Sequence, residues 1–279
     1  MPMELAMIQK QIIKLDKISP VYMDRGTFFG DGVYEVVRTY NGKPFALEEH
    51  LARFDRSLKA IEINDVDIAD IRNRILKAYA KSEIANCAIY FHITRGSGPR
   101  DHGWPKDMKW NFFMTLAEIH GYEKLKEKGV KVCFHKDIRW QRCDIKSLNL
   151  LPNVLAKQHA HDKGCFEALL VDSRGDITEG AGSAFAAIYG DNIVTRPLSV
   201  NILPSITRGF LSKIAGMTGM KMVEKILCPY DLASADELFL AVTTKDILGI
   251  IELEGKPVSG GKVGPKTRKL EAAFQEIVK

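Results

Sequence analysis

Strand-like and helical patterns alternate over the first 118 residues. Residues 31–47, DGVYEVVRTYNGKPFAL, contain two strand-like runs joined by Asn41-Gly42, a dipeptide that strongly favours a hairpin turn. A helix should follow, because apolar residues recur at helical spacing at Leu47, Leu51, Phe54, Leu58 and Ile61. A second helix is predicted around 68–75, and the runs CAIYFHITR and WNFFMTLAEI predict strands on either side of a loop rich in glycine and proline. The pattern predicts an α/β domain over residues 1–118.

The remainder of the chain has a different pattern. Residues 119–129 are charged and carry no apolar period, so we interpret them as a linker between two domains. From residue 130 onward, short apolar runs are separated by turn signals, and helices are predicted only near 153–163, 205–217 and 264–277. Many short strands with few helices predict a mixed or barrel-like α+β domain over residues 130–279.

The composition argues against several classes of protein. The net charge of +5 is spread along 279 residues, without the basic stripe and stacking aromatics that nucleic-acid binding needs. No apolar run approaches the roughly 18–20 residues of a membrane span. The five cysteines form no CxxC pair and the histidines form no HExxH motif, so neither a disulfide framework nor a metal site is predicted. We expect a cytoplasmic protein that binds no nucleic acid and no membrane.

Candidate chemistry begins with Lys146, in the run DIKSLNLLPN. An ordinary solvated lysine is the simplest interpretation of this position. A reactive lysine, by contrast, usually serves pyridoxal phosphate. That cofactor also requires a carboxylate at its ring nitrogen, and an arginine with hydroxyls and backbone N–H groups at its phosphate. The sequence offers a candidate for each requirement.

These candidates are individually ambiguous. Glu179, in the run DSRGDITEGAGS, suits the ring nitrogen, but a solvated turn glutamate would give the same pattern. The candidates for the phosphate come from the first helix, the run NILPSITRGF and the run LAVTTKD, and they are Arg53, Ser205, Thr207, Thr243 and Thr244. Their ordinary interpretations are a solvated helix arginine, a helix N-cap and strand threonines. No single candidate decides between a cofactor site and these alternatives.

Taken together and in this order, the segments resemble the class IV aminotransferases, the fold-type IV pyridoxal phosphate enzymes. The similarity runs from about Asp24 to Arg268, and its most specific part is CDIKSLNLL followed downstream by ITEG. The resemblance implies a small N-terminal α/β domain and a larger C-terminal pseudo-barrel domain, with the cofactor between them. It also implies a homodimer whose substrates are an amino acid and a 2-oxo acid.

The resemblance gives each matching residue an expected role. Lys146 would bind the cofactor aldehyde and move a proton between the substrate Cα and the cofactor C4′. Glu179 would pair with the ring nitrogen, and Leu203 would support the ring. The residues expected to hold the phosphate are Arg53, Ser205, Ile206, Thr207 and Thr243.

The resemblance also bears on the substrate. In the D-amino acid enzymes of this family, an Arg-x-His pair and a tyrosine trap the α-carboxylate of the substrate. The matching residues here are Arg100, His102 and Tyr34, and Thr244 is a further candidate for substrate contact. Loops of this kind reach the site of the partner subunit in this family. Without the resemblance, GSGPRDHG would be interpreted as an exposed polar loop.

Three positions depart from the family pattern. Ala184 occupies a position where asparagine is usual, Val242 one where serine is common, and Ser205 one where glycine is usual. The first two changes remove hydrogen bonds near the cofactor, and the third brings a side chain close to the phosphate. Because the lysine, glutamate and arginine are retained, we expect a modified site rather than an inactive one.

The implied reaction is a ping-pong transamination of a D-amino acid, such as D-alanine, with 2-oxoglutarate or pyruvate. A branched-chain L-amino acid aminotransferase, an aminodeoxychorismate lyase and an (R)-amine transaminase share the fold and are the alternatives. The pair Arg100 and His102 argues against the first and the last of these. A binding protein that keeps the fold without activity is the least favoured alternative. The sequence does not predict the side-chain preference.

Overall fold

The computed structural model of the chain describes residues 3–120 and 122–279. The helices, in chain order, are α1 Arg25–Phe29, α2 Leu47–Ala60, α3 Ile68–Ser82, α4 Glu123–Lys128, α5 Leu151–Asp162, α6 Ile206–Gly209, α7 Leu211–Thr218 and α8 Pro265–Val278. The strands are β1 Leu5–Ile8, β2 Gln11–Lys14, β3 Gly32–Tyr40, β4 Lys43–Pro44, β5 Cys87–Thr94, β6 Asn111–Glu118, β7 Val130–Lys136, β8 Glu167–Val171, β9 Ile177–Gly180, β10 Ala184–Tyr189, β11 Asn192–Thr195, β12 Lys221–Glu224, β13 Glu237–Val242, β14 Asp246–Leu253 and β15 Lys256–Pro257.

The first half of the chain forms a four-stranded antiparallel sheet in the order β4-β3-β5-β6. The predicted hairpin is confirmed, because β3 and β4 pair on either side of Asn41-Gly42. The helices α2 and α3 supply a core of large apolar side chains, including Phe54 and Ile75, which are fully buried. Burial of these side chains explains why their helical spacing appears in the sequence.

The second half forms a nine-stranded mixed sheet in the order β12-β11-β10-β13-β14-β7-β8-β9, with β15 beside β14. The central strand β7 runs parallel to both of its neighbours, β14 and β8, whereas β10 and β13 are antiparallel. One apolar core lies between this sheet and the helices α7 and α8, and a second is formed largely by the sheet's own residues, such as Leu240 and Leu248. The predicted α/β class with a curled, barrel-like second sheet is confirmed.

The structure also differs from the expected elements. The helix predicted at 205–217 is broken at Phe210 into α6 and α7. The segment predicted as a linker, 119–129, contains the short helix α4, while Gly121 within it lies outside the described residues. The hairpin of β1 and β2 was not predicted, because its mixed apolar and charged residues give no clear strand pattern. The domain boundaries 1–118, 119–129 and 130–279 stay a prediction.

Within residues 3–120 and 122–279, no helix is both long enough and apolar enough to cross a membrane.

Candidate active site

Lys146 lies on an extended segment that pairs with the start of β3. The backbone N–H of Tyr34 donates to the carbonyl of Lys146 at 2.9 Å, and the N–H of Leu148 donates to the carbonyl of Gly32 at 2.9 Å. The N–H of Lys146 donates to Ser57 Oγ on α2 at 3.2 Å. These bonds hold the backbone while the side chain lines a pocket, where its Nζ lies 4.1 Å from the centre of the Tyr34 ring. The aromatic face attracts the ammonium, and no carboxylate among residues 3–120 and 122–279 forms a salt bridge with it.

The pocket brings together predicted residues from both sheets and from the loops between them. Those that line it are Tyr34, Arg53, Lys146, Glu179, Leu203, Ser205 and Thr243.

Glu179 is a buried residue of β9, so the ordinary interpretation as a solvated turn glutamate is wrong. Its Oε1 accepts hydrogen bonds from Arg139 Nη1 at 2.5 Å and from the backbone N–H of Leu203 at 3.1 Å. Arg139 is itself held by Asp137, at 2.8 and 3.0 Å. Burial raises the pKa of Glu179, and the charge of Arg139 opposes that effect and favours the carboxylate. Both hydrogen bonds to the carboxylate from described residues are made to Oε1, which leaves Oε2 free for a ligand in the pocket.

Arg53 is 2% exposed, so the interpretation as a solvated helix arginine is also wrong. Its guanidinium binds the buried Glu35 through Nε at 2.6 Å and Nη2 at 2.8 Å, and its Nη1 donates to the carbonyl of Pro204 at 2.9 Å. A guanidinium carries about five N–H donors, so roughly two remain for a ligand in the pocket. Arg53 and His50 hold the pKa of Glu35 at about 2 against the opposing effect of burial.

His50 completes this buried group. Its Nδ1 lies 2.7 Å from Glu35 Oε2, and burial lowers the pKa of the imidazole, so the ring is neutral and donates from Nδ1. Within the described part of the chain, His50 Nε2 is buried and has no hydrogen-bond partner. The group therefore combines one carboxylate, one guanidinium and one neutral ring, and it fixes the orientation of Arg53.

Pro204, whose carbonyl accepts from Arg53, is followed by a turn and then by α6. Ser205 is the N-cap of this helix, and its hydroxyl accepts from the N–H of Arg208 at 3.3 Å. Ile206 and Thr207 form the first residues of α6, next to the pocket wall rather than on it, and Thr207 is buried. The serine that replaces the usual glycine is thus accommodated as a helix cap.

Three predicted substrate residues are not brought to this pocket within the single chain that the structure describes. Thr244 follows a pocket residue, but its backbone carbonyl accepts from Arg38 Nη1 at 2.9 Å and it does not line the pocket. Arg100 and His102 are exposed on the loop between β5 and β6.

The loop that carries Arg100 and His102 is nonetheless firmly anchored. The guanidinium of Arg25 donates to the carbonyls of residues 101–103 at 2.5 to 3.1 Å. Arg95 lies 3.8 Å from the centre of the Trp104 ring, and both arginines form ion pairs with Asp31. The backbone of the loop is thus fixed, and its two predicted side chains pack against Phe29: Arg100 Cζ and the His102 ring each lie 5.3 Å from the centre of the Phe29 ring.

Comparison with known proteins identifies the family. The sequence model of the family described as amino-transferase class IV matches residues 32–253. The chain belongs to the class IV aminotransferases.

Individual relatives agree with this assignment. The D-alanine aminotransferase of Staphylococcus haemolyticus is 36% identical over 278 residues, which cover 97% of this chain and 96% of that protein. The branched-chain amino acid aminotransferase of Escherichia coli superposes with a TM-score of 0.86 at 23% identity, covering 96% of this chain and 92% of that one. The 4-amino-4-deoxychorismate lyase of Pseudomonas aeruginosa superposes with a TM-score of 0.81 at 26% identity, covering 93% and 95%.

Class IV aminotransferases use pyridoxal phosphate, and the residues of this pocket suit that cofactor. A lysine amine, a carboxylate with one free oxygen and a guanidinium with unused donors face the same space. Small residues, Gly180 to Ala184, form one wall, which leaves room for a flat ring. Ala184 and Val242 line the pocket as Ser205 does, so all three departures from the family pattern lie at this pocket.

Two residues of this site were missed by reasoning from the sequence. Glu35 lies between Val33 and Val37 on the same face of β3, and that face is buried. A charged residue in such an apolar alternation was the signal that could have indicated a buried ionic group. Arg139 and Glu179 are 40 residues apart in the sequence, and no pattern in the run DIRWQRC predicts their contact.

Proposed function

We propose that this aminotransferase transfers the amino group of a D-amino acid, such as D-alanine, to a 2-oxo acid, with 2-oxoglutarate or pyruvate as acceptor. The observation that carries the proposal is the 36% identity to a D-alanine aminotransferase over 97% of the chain. The anchored loop with Arg100 and His102 supports it, because a guanidinium and an imidazole together suit an α-carboxylate.

We assign the proton transfer to Lys146. The cofactor, when bound, supplies the electron sink that makes the substrate Cα–H acidic. The Lys146 amine would take that proton from one face of the substrate Cα and would return it at the cofactor C4′. The ring of Tyr34, 4.1 Å from Nζ, keeps the protonated amine in the pocket between these two events. The first product leaves before the acceptor binds, so the kinetics are ping-pong.

The remaining residues hold the cofactor in the proposed site. Glu179, whose carboxylate form is favoured by the charge of Arg139 against the effect of burial, would bind the ring nitrogen in its protonated form. Leu203 supports the ring, and Arg53, positioned by Glu35, donates to the phosphate. The other proposed phosphate ligands are the hydroxyls and backbone N–H groups of Ser205, Ile206, Thr207 and Thr243.

We further propose that the active form is a homodimer. Arg100 and His102 do not line the pocket of their own chain, so we expect them to complete the pocket of a partner subunit. Four exposed apolar side chains lie near the pocket. Leu151, Val154 and Leu155 belong to α5, and Trp140 precedes that helix in the chain. Such a surface is typical of an interface between subunits. All five cysteines are free, which supports the proposed reducing, cytoplasmic environment.

The test is steady-state transamination by the cofactor-loaded protein. D-alanine, L-leucine and aminodeoxychorismate are supplied separately, each with and without 2-oxoglutarate, and the products are quantified. The proposal expects pyruvate and glutamate from D-alanine when 2-oxoglutarate is present. Activity with L-leucine but not with D-alanine would support the branched-chain enzyme, and release of pyruvate from aminodeoxychorismate without 2-oxoglutarate, with no activity towards D-alanine, would support the lyase. Either result would overturn the D-amino acid proposal while leaving the family assignment intact.

A further inference from the structure

A largely buried carboxylate, which the proposed reaction does not use, lies behind Glu179. It belongs to Asp137, which follows β7 and has a side chain that is 9% exposed. A single guanidinium joins the two acids. Arg139 donates to Asp137 Oδ1 from Nε at 3.0 Å and to Oδ2 from Nη2 at 2.8 Å, while its Nη1 donates to Glu179 Oε1 at 2.5 Å. We call Asp137, Arg139 and Glu179 the ionic triad.

Asp137 lies on the far side of Arg139 from the cofactor pocket. Within the described part of the chain, Asp137 lines a second cavity, Glu179 lines the cofactor pocket, and Arg139 borders both. Thr178 and Glu179 are neighbours on β9, so their side chains leave opposite faces of the strand. Thr178 accordingly lines the second cavity, where its hydroxyl donates to Asp137 Oδ2 at 2.8 Å. Asp137 can therefore influence a bound cofactor only through Arg139 or through its own charge.

Asp137 determines how the guanidinium of Arg139 is oriented. It accepts two parallel charge-assisted hydrogen bonds from the side chain, and its Oδ1 also accepts from the backbone N–H of Arg139 at 3.1 Å. The other backbone acceptor, the carbonyl of Asn201, is uncharged and lies 3.2 Å from Nη2. Because Asp137 occupies Nε and Nη2, Nη1 is the nitrogen that contacts Glu179.

With Glu179 as a carboxylate, the ionic triad carries one net negative charge. Arginine stays protonated in proteins, and the hydrogen bonds and charge of Arg139 lower the pKa of Asp137 against the effect of burial. The adjacent thiol of Cys143 adds no charge, because burial raises its pKa to about 11. A net charge held largely away from water is unfavourable. A cofactor ring that brings one positive charge therefore suits the triad better than a neutral ring does.

Asp137 affects Glu179 in two opposite ways. Burial is the largest influence and raises the pKa of Glu179; the negative charge of Asp137 raises it further, whereas Arg139 lowers it. Arg139 contacts Glu179 directly, while Asp137 lies beyond the guanidinium, and the interaction of two charges weakens with distance. The attraction that Asp137 secures by positioning Arg139 therefore outweighs the repulsion from its own charge.

We propose that Asp137 is a positioning residue for the cofactor: it holds Arg139 on Glu179 Oε1 and leaves the ionic triad with a net negative charge, so that Oε2 retains the ring nitrogen in its protonated form. The inference rests on the proposed role of Glu179 and extends that role to a residue that does not touch the cofactor. A protonated ring nitrogen is the stronger electron acceptor. Asp137 thus supports the chemistry from behind the pocket wall.

The experiment measures how strongly the cofactor-free protein prefers a ring that can be protonated. Pyridoxal phosphate is compared with its deaza analogue, in which a C–H group replaces the ring nitrogen, and the ratio of the two Kd values gives the preference. Asp137→Asn should reduce the preference by about tenfold, because a charge-assisted pair is lost. Thr178→Val, which keeps the carboxylate and removes the hydroxyl bound to it, should reduce the preference less. Glu179→Gln should reduce it at least as much as Asp137→Asn.

The matched control is Asp144→Asn. Asp144 forms a similar two-bond pair with an arginine two residues away, Arg142, at 2.9 and 3.0 Å, but the side chains are 30% and 47% exposed. This pair does not contact Glu179, so the preference of Asp144→Asn should equal that of the native protein.

A second measurement reports the protonation of the ring directly. The cofactor is labelled with an NMR-active isotope at the ring nitrogen, and the nitrogen shift of the bound form is recorded. The shift should be that of a pyridinium in the native protein and should move towards that of a neutral pyridine in Asp137→Asn. A general loss of stability would not move this shift.

The variants separate failure of this inference from failure of the proposed site. An unchanged or increased preference and an unchanged shift in Asp137→Asn, with both properties altered in Glu179→Gln, would overturn the role of Asp137 alone. If Glu179→Gln also leaves both properties unchanged, the proposed pairing of Glu179 with the ring nitrogen is wrong and the role of Asp137 fails with it. Should Asp137→Asn not fold, Thr178→Val decides by the same two measurements.

Discussion

At the scale of single residues, the site depends on polar groups held by other polar groups. Lys146 has a fixed backbone and a side chain resting on an aromatic face, whereas Arg53 and Glu179 are oriented by ionic partners. The ionic partners thus fix the orientation of Arg53 and Glu179, the residues proposed to bind the cofactor, whereas Lys146, the residue proposed to transfer a proton, contacts an aromatic ring.

The first prediction concerns Lys146. Lys146→Ala removes both the cofactor linkage and the base, so turnover should fall by about three orders of magnitude or more. The visible absorption band of the lysine-bound cofactor should also disappear. The control is Lys221→Ala, at the exposed start of β12, which should keep both properties. Retention of the band and of turnover in Lys146→Ala would contradict the assignment.

The second prediction concerns Glu35 and acid stability. Because its pKa is lowered from 4.5 to about 2 in the folded protein, Glu35 contributes stability that is present above pH 4.5 and is lost as the pH falls towards 2. Glu35→Gln should remove this contribution, so its free energy of unfolding should depend less steeply on pH in that window. It should also weaken cofactor binding, since Arg53 loses its orienting partner.

Denaturant titrations between pH 2 and pH 6 measure the effect. The matched control is Glu48→Gln on the same helix as Arg53, where the glutamate is 66% exposed in its side chain and paired with Arg72. A Glu35→Gln protein whose stability follows the native pH profile would contradict the account of this buried group.

The residues show clearly what the sequence could and could not predict. Lys146 and Glu179 stand in runs specific enough for a family resemblance, yet their burial and their partners come from the fold. Arg53 was misinterpreted in isolation because a helical wheel shows only its own helix. The strand β3, which carries Glu35, packs against the second, polar face of α2 and thereby buries Arg53.

At the scale of elements, the turn between β13 and β14 joins the parts of the molecule. Asp246 begins β14 with a positive φ of 62° and is fully buried. Its carboxylate accepts from Arg38 and Tyr40 on β3, from Lys126 on α4 and from Gln275 on α8. A single side chain thus ties the four-stranded sheet, α4 and the last helix to the turn that carries Thr243.

The third prediction follows from this junction. Asp246→Asn preserves the shape and tolerates the left-handed backbone, but it leaves buried cations without their counter-charge. The free energy of unfolding should fall by about 3 kcal/mol or more. The control Asp191→Asn, at a side chain that is 80% exposed, should change it by less than about 0.5 kcal/mol. Equal stability of the two variants in urea titrations would contradict the structural role of Asp246.

Elements with a strong apolar period were predicted well, and the exceptions have physical reasons. The helix α2 and the strands β3 and β5 bury one face each, which imposes their period on the sequence. The charged segment 119–129 gave no such signal. Its helix α4 is held by contacts from outside it, including the bond between Lys126 and Asp246 and the donation of Arg268 to the Lys126 carbonyl.

At the scale of the whole molecule, the proposed homodimer can be tested directly, because it places Arg100 in the pocket of the partner subunit. The fourth prediction uses two variants that are each inactive, Lys146→Ala and Arg100→Leu. If Arg100 serves the partner's pocket, a mixed dimer contains one pocket with both native residues. After unfolding and refolding together, random pairing of such dimers should restore roughly a quarter of the native activity. If Arg100 instead serves its own pocket, the mixture should stay inactive.

The central claim is transamination of a D-amino acid at the Lys146 pocket, and a single half-reaction tests it most directly. The cofactor-loaded protein is mixed with D-alanine or with L-alanine, without an acceptor, while the visible absorption of the lysine-bound cofactor is followed and pyruvate is measured. With D-alanine, the band should be lost and about one pyruvate should be released per subunit, because a ping-pong enzyme completes this half without its second substrate. L-alanine should leave the band unchanged. Loss of the band with L-alanine and its persistence with D-alanine would contradict the claim.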